Sequence, residues 1–166
     1  MQPSCSQCAF RPDRPFCAMS PDAINSFDEI KELSVLGKGT LLLTEGRPSR
    51  GVYMLCEGRA KLSICSESGK RLMLRVASPG EVLGMGACLS GDAYELTAEL
   101  LDTAQVVFIK RKDLLKFLRD NPAICMEVVR HLSDDLHGAY ARVRSIGLNR
   151  ARRVRAQRTR SMASAS

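Results

Sequence analysis

Three cysteines near the start of the chain, Cys5-x2-Cys8-x8-Cys17, are the side chains best suited to chemistry. Thiolates two residues apart can share one soft metal from a single turn, which is why the pair recurs in zinc and iron–sulfur sites. The same thiols without a metal could act in redox exchange. Cys56, Cys65 and Cys125 lie within apolar runs, where a free cysteine packs as a small hydrophobe. The total of seven is odd, and no basic-then-apolar leader opens the chain. Both facts argue against a disulfide framework and a signal peptide, so a soluble cytoplasmic protein is expected. No nucleophile–base pair, HExxH-type motif or phosphate-cradling glycine loop appears, so the chain does not read as an enzyme. His131 and His137 read as solvated helix-surface residues.

The elements that must position these groups are legible from periodicity. Glycines recur at Gly46, Gly58, Gly69, Gly80 and Gly91, about one every eleven residues, with short apolar runs between them. Glycine takes the positive backbone angles of tight turns without a Cβ clash. The runs at 40–44, 52–56, 60–65, 71–77, 94–101 and 105–110 predict an antiparallel β-roll, with Glu67-Ser68-Gly69-Lys70 as a hairpin turn. Before the roll, Ser20-Pro21-Asp22 supplies a cap, a first-turn proline and an acidic first turn for a short helix with Ile24, Phe27 and Ile30 inward. After it, a short helix covers 111–120 and stops before Pro122. From Cys125 the apolar positions Val129, Leu132, Leu136, Ala139, Val143 and Ile146 alternate in steps of four and three. That is an a/d seam, narrower than a core-facing stripe, and it predicts a parallel two-helix contact in a homodimer. The predicted division is an arm at 1–19, a β-roll sensor domain at 20–121, a dimerisation helix at 122–148 and a disordered tail at 149–166.

The net charge of +7 is local: without the six arginines between 150 and 160 the remainder is near +1. No apolar run is long enough to cross a bilayer, so no membrane partner is expected. The composition changes abruptly at Asn149, as a shifted reading frame would produce. A truncated protein and a stand-alone sensor with a nucleic-acid-attracting basic tail both remain open.

Roll, short helix and long helix in this order resemble the sensor half of the Crp/Fnr family of bacterial transcription regulators. The resemblance covers about residues 20–147. It rests on Glu45-Gly46 with Gly51-Val52-Tyr53-Met54-Leu55-Cys56-Glu57-Gly58, on Pro79-Gly80-Glu81-Val82-Leu83-Gly84, and on 114–121 followed by Pro122. It implies a mainly β, cyclic nucleotide-binding-like jelly roll flanked by short helices and followed by a dimerisation helix. In family members a helix-turn-helix that reads DNA comes next, and that module is absent from the predicted elements here.

The resemblance also places an effector pocket at Gly84, Met85, Leu96, Thr97 and Ala98. Cyclic-nucleotide-binding members carry a glutamate at the position of Met85 and an arginine at that of Leu96. Without them a buried phosphate loses a charge-assisted hydrogen bond of about 1.5–3 kcal/mol, and Glu95 and Glu99 would repel it. Binding of cAMP is therefore not expected, and a pocket lined by Met73, Leu83, Met85 and Leu96 would favour an apolar ligand. Oxygen-sensing members ligate an iron–sulfur cluster with an N-terminal cysteine trio and one cysteine in the roll. The resemblance thus implies Cys5, Cys8 and Cys17 as ligands with Cys88 as the fourth; an iron–sulfur cluster, zinc and metal-free thiols all stay open. The implied function is effector sensing and dimerisation in a regulator responding to redox, oxygen or nitric oxide. The alternative is a small-molecule-binding module without DNA-binding output.

Overall fold

The computed structural model describes Cys5, Cys8 and residues 19–163, with side chains through Leu148. Helix α1 (Pro21–Ile30) starts as its sequence dictates: the Ser20 hydroxyl accepts a hydrogen bond from the Ala23 N–H, and Pro21 occupies the first turn. Its apolar stripe of Ala23, Ile24 and Phe27 is buried, and Phe27 meets Phe117 edge to face at 5.7 Å.

Eight strands follow in two four-stranded antiparallel sheets. They are β1 (Lys31–Leu36), β2 (Leu41–Leu43), β3 (Gly51–Leu55), β4 (Ala60–Cys65), β5 (Arg71–Ala77), β6 (Val82–Leu83), β7 (Thr97–Leu100) and β8 (Ala104–Lys110). One sheet runs β1-β8-β3-β6 and the other β2-β7-β4-β5. Leu43, Leu55, Leu62, Ala98, Leu100 and Val106 fill the core between them. Gly46, Gly58, Gly69 and Gly80 all hold positive φ at the turns between strands, and Gly91 does so after α2 (Met85–Ser90), so the glycine rhythm does mark the turns.

The expected roll is present, with three additions. The sequence did not separate β1 or β6, and it left the six-residue α2 unassigned. Strand β6 has only two residues, and α2 only one and a half turns, too short for either period to register. Cys65, expected to be buried, is exposed, because it is the last residue of β4 beside the hairpin turn.

Helix α3 (Arg111–Asp120) buries Leu114, Phe117 and Leu118. Helix α4 (Pro122–Ala163) starts within the compact unit that ends at Val129, where Ile124 and Val128 are buried. From Arg130 onward it forms a second unit. The α4 backbone stays helical past Asn149, where the sequence predicted disorder. Arginine, alanine and glutamine are good helix formers, and no glycine or proline interrupts them after Gly147. Among the described residues, no helix is long and apolar enough to cross a membrane.

Candidate effector site and cysteine arm

The loop from Gly84 to Ala98 is the first candidate site. Gly84 precedes α2 in the left-handed region at φ 84°, and a Cβ there would lie 2.9 Å from the Tyr94 ring. Only glycine meets both conditions. Tyr94 is buried, and its hydroxyl donates to the Gly51 carbonyl at 2.7 Å while accepting from the Arg50 and Gly51 N–H groups at 3.2 and 3.3 Å. It ties the loop to the start of β3.

The two positions where the family's charged groups are expected hold apolar side chains committed to packing. Met85 is 2% exposed, and Leu96 packs on the core cluster that includes Leu83 and Ala98. The buried Thr97 hydroxyl accepts the Glu45 N–H at 3.1 Å, and the Glu45 carboxylate accepts the Cys65 N–H at 2.8 Å. Two expectations need correction. Met73, proposed as pocket lining, is 53% exposed, because β5 is an edge strand. Glu99, proposed to repel a bound phosphate, is neutralised by Lys61 at 3.1 Å, with Arg71 at 3.9 Å. Glu95 does lie close to α2, its Oε1 only 3.2 Å from where a Cβ on Gly86 would sit.

The cysteine positions are now separable. Cys88 is fully buried in α2, and its carbonyl accepts the Arg111 Nε–H at 2.8 Å. Burial pushes its thiol pKa up, opposed by Arg111 and the nearby Ser49 hydroxyl. That hydroxyl has no partner of ordinary hydrogen-bond geometry, so its influence on the sulfur is weak.

Cys5 has a different environment, at the junction of α1 and β1. Its N–H donates to both Asp28 carboxylate oxygens at 3.1 and 3.2 Å, and Lys31 Nζ donates to its sulfur at 3.3 Å. Lys31 also pairs with Asp28 at 2.6 Å, with its side chain only 3% exposed. Burial raises the Cys5 thiol pKa more than the Lys31 ammonium lowers it. For Lys31, burial pulls the pKa down, but the bonds to Asp28 and Cys5 outweigh it and the net shift is upward.

The Cys8 N–H bonds the Cys5 carbonyl at 3.3 Å, one turn on, and Cys17 lies outside the described residues. Among the described residues, no three of His, Cys, Asp and Glu gather as a metal-ligand set. A cationic ammonium on the Cys5 sulfur is also a poor neighbour for a metal ion.

The sequence reading missed Lys31 and Asp28. Their signal was present, because Ile24, Phe27 and Lys31 follow helical spacing and place a lysine where an apolar residue belongs.

On α4 the seam residues Val129, Leu136, Val143 and Ile146 are exposed by 54%, 50%, 69% and 53%, while Leu132 and Ala139 are partly buried. The stripe therefore stays largely open to solvent.

Comparison with known proteins places this geometry. Residues 33–121 match the cyclic nucleotide-binding domain family. The chain is 24% identical over 132 residues to the anaerobic regulatory protein of Bacillus subtilis, covering 79% of this chain and 56% of that one. It therefore spans just over half that regulator's length. The sensor domain of the regulator DNR from Pseudomonas aeruginosa superposes with a TM-score of 0.63 at 23% identity, over 76% of this chain and 85% of that one. The Thermus thermophilus catabolite activator protein does so with a TM-score of 0.70 at 17% identity, over 80% and 62%. The chain belongs to the cyclic nucleotide-binding domain family.

Proposed function

We propose that this chain is the effector-sensing and dimerisation part of a Crp/Fnr-type transcription regulator, responsive to an oxidising signal through the cysteines of its arm. The observation that carries the reading is the open apolar seam on α4, at the end of a family roll whose core also buries the first turns of that helix. The large seam side chains are already about half covered, so burying the rest against a second copy would contribute roughly 1 kcal/mol each, summed over both copies against the entropy of association. A shift in the roll is felt at Ile124 and Val128, which are buried in the same unit, and alters how two seams meet. In a regulator that carries a DNA-reading module, the same change would reposition it.

The loop from Gly84 to Ala98 holds Met85 and Leu96 where a charged grip on a cyclic phosphate is expected, so cAMP is not the proposed effector. The cysteine arm is the better input, because the Cys5 sulfur already contacts the ammonium of the Lys31–Asp28 pair.

The test is substitution at the centre of the seam. Leu132→Glu would place an unpaired carboxylate in each copy's interface. Light scattering is expected to show a monomer with an intact roll; an unchanged dimer would remove the seam from the account.

A further inference from the structure

We propose that Cys5 and Lys31 are the two halves of a covalent sulfur–nitrogen crosslink, closed by a hydroperoxide, that locks the arm onto the end of α1. The proposal rests on reading the arm as oxidant-responsive, and it supplies the chemistry of that response.

The geometry is specific. Lys31 Nζ lies 3.3 Å from Cys5 Sγ and 2.6 Å from Asp28 Oδ1. The Asp28 carboxylate also receives the Cys5 N–H, so one side chain fixes both reacting residues. Nitrogen and sulfur have only to approach, with no search. Lys31 is a buried cation, 3% exposed in its side chain, at the first position of β1. A charge there carries a desolvation cost that an aliphatic side chain would avoid. Cys5 is only partly buried, so a small peroxide can reach its sulfur.

The chemistry balances in two steps. The hydroperoxide transfers its terminal oxygen to the Cys5 thiol; sulfur is oxidised to a sulfenic acid, the O–O bond is reduced, and an alcohol or water leaves. Lys31 then passes one ammonium proton to Asp28, and its nitrogen lone pair attacks the sulfur. The S–O bond breaks, and the departing hydroxide takes a second nitrogen proton to leave as water. The product is a sulfenamide. Its reversal consumes two thiols, which leave as a disulfide.

The experiment is to treat the chain with hydrogen peroxide, alkylate it, digest with trypsin without reduction, and map the peptides by mass. Trypsin does not cut before proline, so Cys5 and Lys31 share the peptide 1–31, and the expected product is the peptide 1–38, uncut after Lys31 and closed between the two residues. It is lighter by two hydrogen atoms than the open 1–38 peptide with a free Cys5 thiol, and after dithiothreitol and a second digestion it yields 1–31 and 32–38. Lys31→Arg, whose guanidinium does not attack, is expected to abolish the uncut, closed peptide and let a dimedone-trapped Cys5 sulfenic acid accumulate. The wild-type map decides the matter even if that variant folds poorly. A Cys5–Cys8 disulfide, or a Cys5 sulfinic acid with normal cleavage after Lys31, would overturn the crosslink while leaving an oxidisable arm. A Cys5 that peroxide leaves fully alkylatable would overturn both the crosslink and the arm as an oxidant sensor.

Discussion

The roll and the long helix treat apolar side chains in opposite ways. In the roll Phe27, Leu55, Leu100 and Ile109 are at most 1% exposed, and the large apolar side chains left open are Val35, Leu41, Leu72 and Met73. Those four are scattered over the edge strands β1, β2 and β5. On α4, by contrast, Val129, Leu136, Val143 and Ile146 are half or more exposed and fall on one repeating face. Scattered exposed side chains are ordinary surface, whereas an ordered row is a contact in waiting. The roll satisfies itself and the helix does not, so their stabilities should respond to different perturbations.

The largest effect should come from the self-sufficient region. Phe27→Ala removes a fully buried ring packed on Phe117, and chemical denaturation should show a loss of about 3–5 kcal/mol. A loss below about 1 kcal/mol would mean that α1 is not part of the core.

Next is the buried pair at the arm. Lys31→Met removes the ion pair between Lys31 and Asp28 and should cost about 3 kcal/mol. It should also change the pH dependence. Lys31 binds its proton more tightly in the folded protein than in the unfolded chain. The stability from that tighter binding is complete below the ordinary lysine value of 10.5, and it is lost as pH rises through the raised folded value. Melting temperatures followed from neutral to strongly alkaline pH should fall less steeply for Lys31→Met than for the native chain. Equal slopes would show that the ammonium is not held by the fold.

The smallest effect belongs to Arg59, which pairs with Asp102 at 2.8 Å across a solvent-exposed surface. Arg59→Ala should leave the unfolding midpoint unchanged within error, because exposed ion pairs are screened by water and salt. A clear drop would assign that pair a structural role.

These regions differ as much in how far the sequence disclosed them. The roll was legible because strand alternation and turn glycines are local signals, and strands β4 and β5 begin and end where the apolar runs do. Helix α3 and its stop at Asn121 were legible for the same reason. The loop before β7 was not: Tyr94 looks like the first residue of a strand, but tertiary hydrogen bonds to Arg50 and Gly51 hold it outside one. The departures at Met85 and Leu96 could be read directly, since a missing charge is visible in a sequence. Glu99's pairing with Lys61 could not, because it depends on the register of β4 against β7. The Cys5–Lys31–Asp28 cluster joins residues 26 apart, and only the fold brings its sulfur to that lysine.

Sedimentation equilibrium of the unmodified chain over a range of micromolar concentrations tests the central claim most directly. A self-sufficient roll with an unsatisfied helix seam predicts a dimer that dissociates only on dilution. A monomer at every concentration would contradict the account and return the α4 stripe to ordinary surface.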